Sequence, residues 1–135
     1  DAAITRAEFA AICARFDTGM ETGESNFTDI AGHWAEEEIK RAVSLGWIRG
    51  YDDRTFRPDQ PITRAEAMTM INRILCRIPQ SEEDLLEGMR TWPDNQPGTW
   101  CYLAVQEATN SHSYTVKDSE KWTALNADPN WSLYE

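Results

Sequence analysis

The chain contains no run of the roughly 18 apolar residues that a membrane-spanning helix needs, so helical membrane insertion is not expected. It also lacks the basic, apolar and small-residue succession of a signal peptide at its N-terminus. Beginning at Asp1 rather than Met, it reads as a processed protein or as a segment of a longer one. Positive charge is scarce: 13 Lys and Arg stand against 23 Asp and Glu, a net charge of −10. Nucleic acid is therefore a poor partner, because the sequence-independent part of that affinity needs clustered cations. The three cysteines, Cys13, Cys76 and Cys101, are odd in number and far apart, with no C-x-x-C pair. They support neither a disulfide framework nor a zinc site and read as small core-facing residues on helices. The two histidines, His33 and His112, stand in no spacing that suggests metal ligation or a nucleophile triad, so no metal or cofactor is expected.

What the chain does have is one pentapeptide written twice, Ile4-Thr5-Arg6-Ala7-Glu8 and Ile62-Thr63-Arg64-Ala65-Glu66. Thr followed three residues later by Glu is the capping-box pattern, in which each side chain satisfies an orphan backbone N–H at a helix start. A helix is therefore expected to begin at each Thr. Capping does not explain the Arg, since a cation near the positive end of the helix dipole is mildly unfavourable. The motif marks a repeat protein.

Taken in order, residues 4 to 16 read as a helix with Phe9, Ile12, Cys13 and Phe16 on one face. Phe27-Thr28-Asp29-Ile30 leads through His33-Trp34-Ala35 into a second helix, with Trp34, Glu38, Ile39, Ala42, Val43 and Leu45 on its apolar face and Gly46 as its stop. Residues 52 to 61 have the Asp and Pro density of an ordered loop. The next helix starts at Thr63, buries Met68, Ile71, Ile74, Leu75 and Ile78, and ends by Pro79. The unit then begins again: Trp92-Pro93-Asp94 parallels Phe27-Thr28-Asp29, Thr99-Trp100 parallels His33-Trp34, and Val105 and Ala108 fall where Ile39 and Ala42 fell, with one residue inserted. Beyond this point the pattern fades, and residues 114 to 122 replace the loop and the capped helix. The division expected is residues 1–20 as the second half of a first repeat, 27–78 as a complete repeat and 92–135 as a third, degenerate one.

The ordered set Phe27-Thr28-Asp29-Ile30, His33-Trp34-Ala35, Gly46-Trp47-Ile48, Gly50-Tyr51-Asp52, Thr55-Phe56-Arg57-Pro58 and Ile62-Thr63-Arg64-Ala65-Glu66 closely resembles the S-layer homology domain. The resemblance implies an all-α fold of helix–loop–helix repeats around a pseudo-threefold axis, with grooves between repeats. It implies an extracellular module of the bacterial cell surface that anchors a larger protein non-covalently to secondary cell-wall polysaccharide, often one bearing ketal-linked pyruvate. Carried over position by position, it makes Arg6 and Arg64 anion readers, puts Gly50 and Tyr51 in the groove wall and adds Trp34 as a contact. A guanidinium fork beside free helix N-terminal N–H groups is a compact carboxylate site. Linked weak sites on a repeating polymer bind through effective concentration.

Three departures stand out. Asp53-Arg54-Thr55-Phe56 has Arg where the family usually has Gly, the third copy lacks the Arg-bearing motif, and the first copy lacks its leading helix. A groove needing that helix is open, or is completed by upstream chain or by a second molecule. The alternative function is thus a protein–protein module that self-associates through the incomplete first and degenerate third repeats.

Against these stand plainer readings. Arg6 and Arg64 as surface residues would pair with Glu8 or Glu66. Trp34 and Trp100 each open a helix with apolar residues following, which suits core anchors better than sugar platforms. Asp52, Asp53 and Asp59 lack the Gly and Glu that a calcium loop needs and read as an acidic turn. No carboxylate pair is marked as a glycosidase dyad, and an enzyme is not expected.

Overall fold

A computed structural model describes residues 3–17, 19 and 23–134. The chain divides into two compact units, Asp1–Ile74 and Leu75–Glu135.

The first unit holds three helices, α1 (Arg6–Ala14), α2 (Glu36–Ser44) and α3 (Arg64–Ile74). Both capping boxes form. Glu8 N–H donates to Thr5 Oγ1 at 3.1 Å while Thr5 N–H donates to Glu8 Oε2 at 2.8 Å, and Glu66 and Thr63 repeat the exchange at 3.2 and 2.9 Å. Helix α2 ends as its glycine predicts. Gly46 takes φ +72°, and the N–H groups of Gly46 and Trp47 return to the carbonyls of Val43 and Ala42, closing orphan acceptors of the last turn. The core is built of Ala7, Ala10, Cys13, Ile30, Ala35, Ile39, Ala42, Ile48, Phe56 and Met70.

The buried faces of α1 and α3 differ from those expected. In α1 it is Ala7, Ala10, Cys13 and Ala14 that go inside, while Ile12 and Phe16 are exposed, Phe16 at 72%. Alanines let α1 and α2 approach closely, and that close approach, rather than side-chain size, decides which face packs. In α3 the buried residues are Met70 and Asn72, and Ile71, Leu75 and Ile78 are exposed. The helix also stops at Ile74, well before Pro79, with Cys76 at φ +54°. Of the three cysteines only Cys13 is buried.

The second unit contains a 3₁₀ turn (Glu82–Asp84), helix α4 (Tyr102–Thr109), strands β1 (His112–Val116) and β2 (Glu120–Leu125), and a 3₁₀ turn at Trp131–Tyr134. The strands pair antiparallel, His112 opposite Leu125 and Val116 opposite Glu120, with a bulge between Ser113 and Tyr114. The all-α expectation is therefore wrong, and the fold mixes α and β. The reason is local. Where α2 is turned by Gly46, α4 is followed by Asn110 in extended conformation (φ −113°, ψ 128°), so the chain runs straight on into a strand. Tyr114-Thr115-Val116 and Trp122-Thr123, flanking Asp118-Ser119, supply the β-branched and aromatic residues of a hairpin. A small core of Leu85, Tyr102 and Trp122 closes over Leu86, Met89 and Leu103.

Candidate functional site

In the first unit the two pentapeptides grip each other. Residues 4–7 run antiparallel to 58–62: Ile62 N–H donates to the Ile4 carbonyl at 3.0 Å, Arg6 N–H to Gln60 at 2.9 Å and Ala7 N–H to Pro58 at 2.9 Å. This brings the Arg6 side chain beneath the second motif. It is 2% exposed, and its guanidinium donates through Nε to the Phe56 carbonyl at 2.8 Å, through Nη2 to the Arg49 carbonyl at 3.0 Å and through Nη1 to Glu66 Oε1. Arg6 is thus internal, each of its nitrogens matched, and its carboxylate partner lies 60 residues away rather than in its own motif.

Glu66 does two jobs with its two oxygens. Oε2 closes the capping box, and Oε1 receives Arg6 and the Tyr51 hydroxyl, the latter at 2.9 Å. Burial alone would raise its pKa, but the Thr63 N–H, the Arg6 charge and the hydroxyls of Tyr51 and Thr63 outweigh it and hold the carboxyl below the ordinary Glu range. Tyr51 is pushed the other way, first by burial and then by its hydrogen bond to Glu66. Two guanidinium groups approach its ring, Arg6 at 4.8 Å and Arg57 at 3.9 Å from the centroid, a doubled cation–π contact.

Gly50 is explained by packing. A Cβ there would come within 2.1 Å of Phe27 Cε1 and 2.8 Å of the Thr55 carbonyl, so only glycine lets the loop lie under the Phe27 ring. The loop that follows is held by Asp29, which accepts from the Phe56 and Arg57 N–H groups at 2.8 Å each, and by Asp53. Asp53 accepts from the Thr55 hydroxyl and N–H and from Arg57, which lower its pKa to about 2. This is the acidic turn anticipated. Arg54 holds a left-handed conformation at φ +62°.

Arg64 and Trp34 stand outside this cluster. Arg64 sits at the start of α3, exposed, and no hydrogen bond or ion pair holds its guanidinium among the described residues. Trp34 is 64% exposed and Trp100, its counterpart in the second unit, 70%, so neither is a core anchor. His33 bonds locally through Nδ1, which accepts from the Ala35 N–H at 3.1 Å, but its Nε2 reaches Asp59, 26 residues on, at 3.2 Å.

Residues 26–68 match the family model of the S-layer homology domain. That stretch belongs to the S-layer homology family. Relatives agree. Cell surface glycoprotein 1 of Acetivibrio thermocellus is 37% identical over 95% of this chain, and the cellulosome-anchoring protein of the same organism is 36% identical over 88%. Outer membrane protein SlpA of Deinococcus radiodurans is 50% identical over 41% of the chain. The chain spans 6% of the length of the first of these, 27% of the second and 5% of the third. No solved structure matches it. The matched stretch and these relatives place the chain at the bacterial cell surface.

The sequence reading missed the Arg6–Glu66 clasp and the polar core of the second unit. There Arg77 reaches Glu107 at 2.7 Å and Glu120 at 2.9 Å, and His112 lies 3.1 Å from Glu107. The residues involved come from separate elements, so no local spacing signals them.

Proposed function

We propose that this chain is a non-enzymatic S-layer homology module that anchors a larger surface protein to the cell wall by binding an anionic wall polysaccharide, with Arg64 reading its acidic substituent. The observation that carries this reading is the contrast between the two motif arginines. Arg6 is consumed by internal partners, whereas Arg64 is exposed at a helix N-terminus, where its guanidinium and first-turn N–H groups outside the capping box can together donate to a carboxylate such as that of a pyruvate ketal. The exposed Trp34 ring offers an apolar face for a sugar. Tyr51, approached by Arg6 and Arg57, and Gly50 contribute wall rather than charge, with Arg6 fixing that wall from beneath.

The names of the relatives, a cellulosome-anchoring protein among them, support attachment as the role. We assign residues 1–20 and 27–78 to one partial and one complete repeat, and 92–135 to a third whose second half has been replaced by the hairpin. Its Asp94, the counterpart of Asp29, is exposed and makes no side-chain hydrogen bond or ion pair among the described residues, as expected where the loop that Asp29 holds is missing.

Pull-down with purified cell wall tests the reading. Arg64→Ala is expected to lose most binding while the protein stays folded. Retention of full binding by a folded Arg64→Ala, Trp34→Ala double variant overturns the assigned contacts.

A second reading, self-association through the incomplete first repeat, is favoured by Ile12 and Phe16 standing exposed on α1. Mass measurement in solution decides it: a dimer that Phe16→Ser dissolves supports assembly, and a monomer at high concentration removes it.

A further inference from the structure

The second unit brings three ligand-type side chains together from three elements. Glu107 comes from the last turn of α4, His112 opens β1 and Glu120 opens β2, and their side chains are 3%, 3% and 2% exposed. One ligand atom from each lies within 4.8 Å of the others. His112 Nε2 is 3.1 Å from Glu107 Oε2 and 3.6 Å from Glu120 Oε1. These separations are close to the ~3.3 Å between neighbouring ligand atoms around a tetrahedral zinc ion with bonds of about 2.0–2.2 Å.

The side chains are also oriented as ligands are. His112 Nδ1 donates to the Asn110 carbonyl at 2.7 Å, which fixes the tautomer and turns the Nε2 lone pair into the cluster. The imidazole stacks on Trp122 at 3.9 Å and 17°, and the Trp122 indole N–H donates to Glu107 Oε2 at 2.8 Å. Independently of this geometry, Glu120 Oε2 is buried without a hydrogen-bond partner among the described residues. An orphaned carboxylate oxygen in such a place is costly.

A cation already stands in the middle. Arg77 Nη2 lies 2.7 Å from both His112 Nε2 and Glu107 Oε1, and Arg77 Nε lies 2.9 Å from Glu120 Oε1. Two carboxylates, those of Glu107 and Glu120, thus face a single guanidinium. A divalent ion in place of the guanidinium cancels both carboxylates. Arg77 is a quarter exposed and its guanidinium rests 3.7 Å over the ring of Tyr114, itself exposed, so it has an outward route.

We propose that Glu107, His112 and Glu120 form a binding site for a divalent transition-metal ion of the zinc class, and that the Arg77 guanidinium is a resident placeholder which the ion displaces. The imidazole nitrogen favours such an ion over calcium or magnesium, which take oxygen ligands. Bound there, the ion ties α4 to both strands of the hairpin and strengthens a unit whose apolar core is small.

The test is titration of the EDTA-treated full chain with zinc chloride at neutral pH, read by calorimetry and by the ¹⁵N shift of His112 Nε2. One ion per chain is expected, with a shift at His112 and none at His33. Affinity should fall at least about tenfold in His112→Asn and in Glu120→Gln, and rise about tenfold in Arg77→Met, which removes the competing cation. Absence of a His112 shift at saturating zinc in the unaltered chain overturns the proposal whether or not the variants fold. Binding that His112→Asn and Glu120→Gln leave unchanged overturns it too, because the ion then sits elsewhere, for instance on the exposed Cys76.

Discussion

Each unit sets an arginine against glutamate, and the two do it differently. In the first unit Arg6 meets one carboxylate, and two backbone carbonyls take its remaining nitrogens, so charge and hydrogen bonding both close. In the second, Arg77 is shared among two carboxylates and a histidine, and one carboxylate oxygen has no partner among the described residues. A closed buried pair locks one geometry, since removing either member strands the other. An open one leaves a carboxylate oxygen without a donor, and there a further ligand has something to gain. The first arrangement explains why a motif written twice holds the first unit together. The second explains why a region with few apolar core residues has so many buried polar ones.

Breaking the closed pair should have the largest effect. Arg6→Ala leaves Glu66 uncompensated and two buried carbonyls without donors, and should cost about 3–5 kcal/mol in urea unfolding. Arg64→Ala, the same substitution in the same motif, should stay within about 0.5 kcal/mol. Equal costs would abolish the distinction between the two motifs.

In the second unit Trp122→Phe keeps the ring in the core and the stack on His112 but removes the indole N–H from Glu107. A loss of about 1–3 kcal/mol is expected, as for a buried acceptor left unsatisfied. A cost near zero would mean that the cluster does not depend on its hydrogen-bonded frame.

Acid should find the first unit's pair as well. The folded-state pKa of Glu66 lies below its ordinary value, so its contribution is fully present above the ordinary Glu range and is lost as pH falls through the lowered folded value. Unfolding free energy followed from pH 6 to pH 3 should therefore decline, and Glu66→Gln should flatten that decline. An unchanged slope in Glu66→Gln would show that the pair is not what acid breaks.

A smaller effect concerns Arg54, which holds a left-handed conformation in the loop under the clasp. Arg54→Gly removes a strain of about 1–2 kcal/mol but adds the flexibility of glycine to the unfolded chain, so a net gain of up to about 1 kcal/mol in thermal or urea unfolding is expected. A loss would mean that the Arg54 side chain contributes something its exposed position does not reveal.

What could be read from the chain follows a physical divide. Both capping boxes and the Gly46 stop were legible, because each depends on residues within a few positions of one another. The buried faces of α1 and α3 were not, because a face is chosen by what packs on it, and alanines prevailed over Ile12 and Phe16 by letting the helices approach. The hairpin around Asp118-Ser119 was less legible, because its strands pair only when residues 112–116 and 120–125 fold against each other. Trp34 and Trp100 looked like anchors because apolar residues follow them, yet both rings point to water.

The amino-acid sequence by itself determined the family, the helix starts and the turn that ends α2, since these rest on short-range chemistry and on motifs in a set order. Only the tertiary structure decided what the motif arginines do. Arg6 and Arg64 sit in identical pentapeptides with identical local physics. They differ because a loop some fifty residues away offers Arg6 the Phe56 and Arg49 carbonyls, with Glu66 beyond them, while the described residues offer Arg64 nothing of the kind. A side chain's role is set by the partners that folding delivers to it, and those partners are not encoded in its neighbourhood.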